Sequence, residues 1–385
     1  MLQPLENPHT AYLYPTLLCN LSCEMCYSGS HHSKQKIKKE MSLDEYRRVI
    51  PELYQVGVRT FDISGGEPFL RKDIWEILKI IKSFQDTKTL LVNNGTRLRA
   101  VMAELQQHLN LIDKIYVSID SPVPEEHNEI RGNSRAFQET LAGLAELRSR
   151  DFKSLGFNMV VMDKNRHRVR QFLDLAVANE IKYVNLLRLI DVKSGGTVPE
   201  DTPSELGMDQ AYLDTYQWLE EYALSSSAKP FEITIVLPGC FYVSYQKSPR
   251  RRTWPAGIQL KVEFDPIRGC PAFGNSIIVG GTGEVTGCTA FVTQATFQTG
   301  NVKKQSVEET LVPWQEQRRN IRKREEYLKN LEPCQDCEYW QVCRGGCPAT
   351  ANKYYGTMMQ SDPTCIKALQ NGTTRSLLEN MEESL

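Results

Sequence analysis

Three cysteines near the start of the chain, Cys19, Cys23 and Cys26, follow one another with C-x-x-x-C-x-x-C spacing. Three thiolates can bind three irons of a [4Fe–4S] cluster, which leaves the fourth iron without a protein ligand. A structural cluster normally takes four cysteines, so this spacing predicts an open iron at which a second molecule binds. Zinc is the alternative, but only His31 and His32 lie close enough downstream to supply a fourth ligand.

Strand-like apolar runs alternate with helix-like segments through the first half of the chain. Six runs bounded by turn residues predict strands over 11–18, 58–64, 89–94, 114–120, 155–162 and 183–189. Apolar residues spaced by three and four predict helices over 44–55, 74–84, 136–150 and 165–179. Ser42 and Glu45 form a capping box before the first helix, and Pro51 is expected to bend or shorten that helix.

Six βα units predict an α/β protein, and right-handed crossovers curl such units into a partial (β/α)6 TIM barrel. Ligands of this architecture bind at the carboxyl ends of the strands. The cysteine motif follows the first predicted strand and therefore belongs to that edge. The segment 64–68, Ser-Gly-Gly-Glu-Pro, follows the second strand, and its two glycines allow the backbone to approach a ligand closely.

The cysteine spacing, together with polar residues at later strand ends, resembles the signature of the radical S-adenosylmethionine (SAM) enzymes. The resemblance implies that SAM chelates the open iron and is split to methionine and a 5′-deoxyadenosyl radical, which takes a hydrogen from the substrate. It also implies an external low-potential electron donor, either ferredoxin or flavodoxin. The residues expected at the SAM site are Tyr27, Gly65, Gly66, Glu67, Asn94, Ser118, Asp120 and Arg131.

Seven further cysteines lie in the last third of the chain. Their spacing is C-x17-C, then C-x-x-C-x5-C-x3-C and a final cysteine, with Gly283 five residues before Cys288. This resembles the SPASM extension of radical SAM enzymes, a C-terminal cysteine-rich domain, and implies two auxiliary clusters of the [4Fe–4S] type. By that resemblance the first cluster takes Cys270, Cys288 and Cys347, and the second takes Cys334, Cys337, Cys343 and Cys365. A zinc ribbon that includes Cys334 and Cys337 is the alternative.

One thiol remains, Cys240, which 29 residues separate from Cys270. It is either the fourth ligand of the first auxiliary cluster or a packed spectator thiol. Without a fourth ligand, that cluster has an open iron that could bind substrate. The sequence names no general base, since Glu263 and Asp265 near Cys270 are more typical of solvated surface acids.

Composition and length suit a multidomain globular protein: 385 residues, of which 41% are hydrophobic and 24% charged. We expect a radical SAM barrel over 1–205, a bridging helical region over 206–235 with a helix at 208–224, a SPASM domain over 236–371 and a tail over 372–385. The sequence has neither a signal peptide nor an 18-residue apolar stretch, which predicts a cytoplasmic protein with reduced cysteines. A net charge of −1 gives no reason to expect a nucleic-acid or membrane partner.

Radical SAM enzymes with SPASM domains mostly modify peptides. The resemblance therefore implies a maturase that cross-links, oxidises, epimerises or excises part of a ribosomally made precursor peptide. Cys19 leaves no room before it for a leader-binding module, so we expect a separate PqqD-like recognition protein or no leader requirement.

Three other functions stay open. The first is a radical dehydrogenase or epimerase of a sugar or aminocyclitol. The second is a sulfatase-maturating enzyme, which Thr289 disfavours because those enzymes have an aspartate directly after the cysteine that matches Cys288. The third is a non-enzymatic electron carrier, which does not account for Glu67, Ser118 and Arg131.

Overall fold

The computed structural model describes residues 7–28, 39–189, 205–235, 255, 257–262, 270, 272–292, 294–363 and 365. The chain forms two compact units, and each is assembled from separate stretches of sequence. The first unit comprises Met1–Met159, Gln171–Asn185 and Pro271–Arg318. The second comprises Val160–Arg170, Leu186–Cys270 and Arg319–Leu385.

Six strands carry the barrel part of the fold. They are β1 (Thr10–Thr16), β2 (Thr60–Gly65), β3 (Lys88–Asn93), β4 (Lys114–Ser118), β5 (Leu155–Val161) and β6 (Tyr183–Arg188). β1 to β5 pair in parallel in sequence order, and β6 follows β5. All six predicted strands are confirmed, as is the α/β class with a parallel, partial-barrel sheet.

Helices connect these strands: α1 (Leu43–Gln55), α2 (Ile74–Lys82), α3 (Leu98–His108), α4 (Pro124–Arg131), α5 (Ala136–Arg148) and α6 (Val169–Ala178). The Ser42 hydroxyl accepts from the Glu45 amide at 3.2 Å, and the Glu45 carboxylate accepts from the Ser42 amide at 2.6 Å. The predicted capping box is therefore confirmed. α1 is not shortened at Pro51, because it continues to Gln55 with Ile50 and Leu53 buried on either side of the proline. The bend expected at Pro51 stays a prediction.

The sheet of the first unit extends beyond β1. β9 (Ser276–Val279) pairs in parallel with β1, β10 (Glu284–Thr286) pairs antiparallel with β9, and β11 (Gly300–Asn301) pairs with β10. Side chains alternate between the two faces of each strand. On β2, Phe61 and Ile63 are fully buried on one face, whereas Asp62 is half-buried on the other.

The second unit contains α7 (Glu205–Leu224) and two parallel strands, β7 (Phe231–Ile235) and β8 (Ile258–Val262). The predicted helix at 208–224 is confirmed within α7. The cysteine-rich segment follows α8 (Val307–Leu328) and holds two short helices, α9 (Trp340–Cys343) and α10 (Pro348–Tyr355). Among the described residues, no helix is both long and apolar enough to cross a membrane.

Candidate metal and cofactor site

The Cys19–Cys26 loop leaves the carboxyl end of β1, as predicted, and its three thiols are half-buried. The loop after β2 packs directly against it. The Gly66 amide donates to the Thr16 carbonyl and the Glu67 amide to the Leu18 carbonyl, both at 2.8 Å. A Cβ on Gly66 would lie 2.2 Å from the Leu18 carbonyl oxygen, so only glycine permits this approach. The close approach at Gly66 is therefore to the protein's own backbone, and the approach to a ligand stays a prediction.

Glu67 joins the ends of β2 and β3. Its side chain is buried, and its two carboxylate oxygens accept from the Phe69 amide at 3.1 Å and the Asn94 amide at 2.8 Å. Burial raises the pKa of Glu67 to about 7, although the two amides oppose the rise. The Asn94 side chain donates to Asn20 at 3.0 Å and lies 4.0 Å from Sγ of Cys19. Hydrogen bonds of Glu67 and Asn94 therefore connect the ends of β2 and β3 to the cysteine loop and the residue before it.

A buried ion pair lies on the other side of the loop. Nη2 of Arg131, at the end of α4, is 2.6 Å from Oδ2 of Asp120, just after β4. Nη1 of Arg131 lies 3.7 Å from Sγ of Cys23, within hydrogen-bond distance of sulfur. Ser118 ends β4 and is partly exposed on the same strand. The structure thus brings Asp120 and Arg131, which the sequence placed in separate segments, together beside Cys23.

Tyr27 follows Cys26, and its hydroxyl is 2.8 Å from the hydroxyl of Tyr14 on β1. Burial raises the pKa of Tyr27 to about 12; Tyr14 opposes the rise, and the charges of Asp62, Cys26 and Cys288 add to it. Cys288, which follows β10, is therefore close enough to Tyr27 to act on it electrostatically. Sequence reasoning missed Tyr14, since a tyrosine in an apolar strand is typical of a core residue.

The thiols of the first unit fit an iron–sulfur cluster in donor chemistry. Burial raises the pKa of Cys19 to about 11 and also raises that of Cys23, where Arg131 opposes the rise. Iron binding would therefore release protons from these thiols. Among the described residues, no three Cys, His, Asp or Glu side chains converge as ligands of a single metal ion do. In a cubane cluster each cysteine binds a different iron, so its ligands stand apart.

Four cysteines of the second unit lie close together. Burial raises the pKa of Cys334 to about 12, and the charges of Cys365, Cys343 and Cys337 add to the rise in that order. These are the four cysteines that the sequence assigned to one auxiliary cluster. Cys270 and Cys347 also lie in the second unit and both act electrostatically on Arg324. Cys240, His31, His32, Glu263 and Asp265 lie outside the described residues.

Arg324 of α8 organises this cysteine segment, and sequence reasoning missed it. Its side chain is 1% exposed and donates to five backbone carbonyls at 2.5–3.4 Å. The accepting residues are Arg344, Gly345, Gly346, Met358 and Gln360. The hydrogen bonds of Arg324 therefore join the turn between Cys343 and Cys347 to the segment that leads to Cys365.

Asp362 is a second buried anchor of the same segment. Its carboxylate accepts from the Cys347 amide at 3.0 Å and forms a two-pronged ion pair with Arg188 at the end of β6. Its backbone carbonyl accepts from the Cys365 amide at 2.9 Å. One residue thus contacts the backbones of Cys347 and Cys365, which the sequence assigns to different auxiliary clusters.

Two family models match the chain. The Radical SAM superfamily matches residues 13–176, and an iron–sulfur cluster-binding domain, SPASM, matches residues 270–338. The chain is a radical SAM enzyme with a SPASM domain, and the resemblance drawn from its cysteine spacing is confirmed. Its cofactors are SAM, a [4Fe–4S] cluster and auxiliary iron–sulfur clusters.

Similar proteins differ in the reactions they are named for. The AdoMet-dependent heme synthase of Methanosarcina barkeri is 28% identical over 90% of this chain and 93% of its own length. The mycofactocin maturase MftC of Mycolicibacterium smegmatis is 24% identical over 91% of this chain and 81% of its own. The structure of Streptococcus suis SuiB bound to precursor peptide SuiA aligns with a TM-score of 0.70 at 15% identity, covering 93% of this chain and 75% of SuiB. That likeness concerns the fold alone.

Proposed function

We propose that the enzyme takes a hydrogen from a residue of a ribosomally made precursor peptide. Cys19, Cys23 and Cys26 would hold the [4Fe–4S] cluster. When bound, the cluster and SAM supply the 5′-deoxyadenosyl radical that removes this hydrogen. The resulting peptide radical leads to cross-linking, oxidation, epimerisation or backbone excision. The residues proposed to contact SAM are Tyr27, Gly65, Gly66, Glu67, Asn94, Ser118, Asp120 and Arg131.

The observation that carries the peptide proposal is a pair of hydrogen-bonded amides on the neighbouring strands β5 and β6. Nδ2 of Asn185 on β6 donates to Oδ1 of Asn158 on β5 at 2.9 Å, and Asn158 is 8% exposed. Within the part of the chain that the structure describes, no other side-chain hydrogen bond occupies either amide. Both N–H donors of Asn158, together with one N–H donor and the carbonyl oxygen of Asn185, remain for a ligand. A donor beside an acceptor is complementary to a peptide group.

A series of contacts also links the amide pair to the proposed cluster ligands. The Asn158 carbonyl accepts from the Ile119 amide at 2.9 Å, directly before Asp120. Asp120 pairs with Arg131, which reaches Cys23. A short series of bonded residues therefore connects the amides to the cysteine loop. This supports a substrate peptide held beside the radical source, where a fixed geometry favours hydrogen transfer.

The auxiliary ligands form part of the same proposal. The first auxiliary cluster would take Cys270, Cys288 and Cys347, and the second Cys334, Cys337, Cys343 and Cys365. Cys240 is proposed as the fourth ligand of the first cluster. Iron quantitation and spectra of a Cys240→Ala variant test this assignment, and unchanged cluster content would refute it.

The peptide proposal is tested by incubating the reconstituted enzyme with SAM, dithionite and candidate precursor peptides encoded beside its gene. We expect 5′-deoxyadenosine together with a peptide of changed mass, or of unchanged mass with an epimerised residue. Asn185→Ala should lower peptide modification at least tenfold while 5′-deoxyadenosine formation without peptide continues. Asn179→Ala is the matched control, because that amide donates to the Leu175 carbonyl at 2.9 Å, at the end of α6.

A second candidate function is a heme-forming reaction on a tetrapyrrole. It is favoured by the Methanosarcina barkeri heme synthase, which aligns over nearly its whole length. The same assay with a panel of iron tetrapyrroles that precede heme distinguishes the two. Turnover of a tetrapyrrole with no modification of any peptide would replace the peptide proposal.

Two partners belong to the proposal. Ferredoxin or flavodoxin would supply the electron, and a PqqD-like protein would present the precursor. Turnover that depends on reduced flavodoxin or ferredoxin in place of dithionite tests the first. Capture of a neighbouring PqqD-like protein by the tagged enzyme tests the second, and efficient turnover without it counts against this partner.

A further inference from the structure

A buried ion pair directly behind the cysteine loop calls for an explanation beyond ligand binding. Asp120 is fully buried and Arg131 is 7% exposed. Nη2 of Arg131 lies 2.6 Å from the Asp120 carboxylate. An ion pair removed from water is costly unless its geometry is good and its remaining polar groups are satisfied. The groups that contact Arg131 and Asp120 therefore indicate the role of this ion pair.

Arg131 also contacts a thiol of the cysteine loop. Its second terminal nitrogen, Nη1, lies 3.7 Å from Sγ of Cys23. A guanidinium stays protonated in proteins, and the Asp120 carboxylate at 2.6 Å balances its charge. A permanent positive charge thus lies at hydrogen-bond distance from a sulfur that we assign to the cluster.

The end of α4 fixes this geometry through its backbone. The Arg131 carbonyl accepts from the Ser22 amide at 3.3 Å, and the Ile130 carbonyl accepts from the Glu24 amide at 3.1 Å. Gly132 ends the helix with φ +62°, and a Cβ there would lie 2.7 Å from the Ser22 carbonyl oxygen. The cysteine loop and Arg131 are therefore joined by main-chain bonds as well as by the side chain.

The aspartate is held from its other side by a neutral imidazole. Nδ1 of His127 accepts from the Asp120 amide at 3.2 Å, and its ring packs against Phe137 with centroids 5.6 Å apart. Burial, with the charge of Arg131, lowers the pKa of His127 to about 3, so this ring adds no charge. Cys23 therefore has one cation, Arg131, at hydrogen-bond distance from its sulfur, and one anion, Asp120, paired with that cation.

We propose that Arg131 and Asp120 set the reduction potential of the cluster bound through Cys23, with Arg131 raising it and Asp120 lowering it. The inference rests on the proposed cluster ligands and goes beyond the SAM contact expected of Arg131. On reduction the cluster gains one electron and one negative charge without any bond being made or broken. A cation that hydrogen-bonds a ligand sulfur stabilises that added charge, and a nearby anion opposes it.

The test is a redox titration followed by electron paramagnetic resonance, with Ti(III) citrate as the reductant of the anaerobically reconstituted full chain. The cluster of interest is the one whose signal changes when SAM is added. Its potential is then measured without SAM, which separates this effect from any SAM contact of Arg131. We expect Arg131→Met to shift the midpoint to more negative values and Asp120→Asn to shift it to more positive values.

Further variants separate charge from structure. Arg131→Lys keeps the charge and should shift the potential less than Arg131→Met. Arg148→Met is the matched control, because Arg148 pairs with Glu180 at 2.5 Å at a partly exposed site, and it should leave the potential unchanged. Iron content is measured for every variant, so that loss of the cluster is not taken for a shift.

The outcomes distinguish the inference from the proposed function. A wild-type enzyme without any SAM-responsive cluster would overturn both. A SAM-responsive cluster whose potential is the same in Arg131→Met and Asp120→Asn, or moves in one direction in both, would overturn the inference alone. Opposite shifts, with Arg131→Lys between Arg131→Met and the wild type, would support it.

Discussion

Each of the two cysteine regions is built around a buried arginine, and the two arginines bond to different partners. Arg131 in the first unit forms an ion pair with one carboxylate and donates to one sulfur. Within the part of the chain that the structure describes, Arg324 in the second unit donates to five backbone carbonyls and to no side chain. Arg131 places a positive charge beside a thiol, whereas Arg324 stabilises the backbone conformation of the cysteine segment.

The difference follows from how each cysteine loop is supported. The first loop is held by backbone contacts from the ends of β1, β2 and α4, so its arginine is not needed to shape it. The turn at Cys343–Cys347 has positive φ angles at Arg344, Gly345 and Gly346. Its carbonyls therefore point away from any helix or strand ladder and need another donor. Arg324 supplies those donors.

The largest expected effect comes from removing that donor. Arg324→Met keeps the apolar stem but leaves five carbonyls without their partner, at a cost of about 3 kcal/mol or more in the free energy of unfolding. We expect roughly two thirds of the iron to be lost, corresponding to two of the three proposed clusters. Iron quantitation and thermal unfolding measure both effects.

Arg319→Met in the same helix is the control for Arg324→Met, because Arg319 is exposed. It should keep full iron content and an unchanged unfolding midpoint. If Arg324→Met also kept both, the two arginines would not differ in the way proposed.

A second test compares glycines of the two regions. Gly66→Ala would place a methyl group 2.2 Å from the Leu18 carbonyl oxygen, so the cysteine loop must move, at a cost of about 1–3 kcal/mol. We expect the SAM-responsive cluster to be lost while the auxiliary clusters remain. Gly356→Ala, after α10, has φ +69° and no atom within 4 Å of the added Cβ, so it should cost only about 1 kcal/mol of backbone strain. Equal iron loss in the two variants would contradict the steric argument.

The sequence predicted those parts of the molecule whose signals are local. The six strands are short apolar runs, and the capping box at Ser42 and Glu45 is a pattern four residues long. The cysteine spacings are likewise local, which is why both cluster-binding regions could be identified. Glu67 was found for the same reason, although its bonds to Phe69 and Asn94 required the structure.

The rest depends on contacts between distant residues. α4 is eight residues long and mostly polar, so it carries no apolar stripe, yet it positions Arg131 against Asp120. Arg324 lies in the run RRNIRKREE, and nothing in that run distinguishes the one arginine that is 1% exposed. Asp362 precedes a proline and is typical of a turn residue. Burial of these charges is decided by tertiary packing.

The pH dependence of stability tests the surroundings of Arg131, the buried arginine of the first cysteine region. His127 has a pKa of about 3 in the folded protein, against an ordinary value of 6.5. Between these two pH values His127 is protonated in the unfolded chain but neutral in the folded chain. The free energy of unfolding therefore decreases as the pH falls below 6.5. For the metal-free protein, this residue should account for a loss of about 2 kcal/mol between pH 7 and pH 5.

The measurement is the difference in unfolding free energy between wild type and His127→Gln at the two pH values. The variant should lack the 2 kcal/mol contribution. A His127→Gln variant with the wild-type slope would mean that the ring is not held neutral beside Arg131.

The smallest expected effect concerns an arginine with the same ion-pair distance but no burial. Arg47 lies 2.6 Å from Asp44, as Arg131 does from Asp120, but the side chains of Arg47 and Asp44 are 57% and 85% exposed. Water screens such a pair, so Arg47→Met should change the free energy of unfolding by less than about 0.5 kcal/mol. Chemical denaturation measures it, and the cluster potential should not move. A loss comparable to that of Arg324→Met would mean that ion-pair distance, rather than burial and the partners reached, determines what an arginine contributes here.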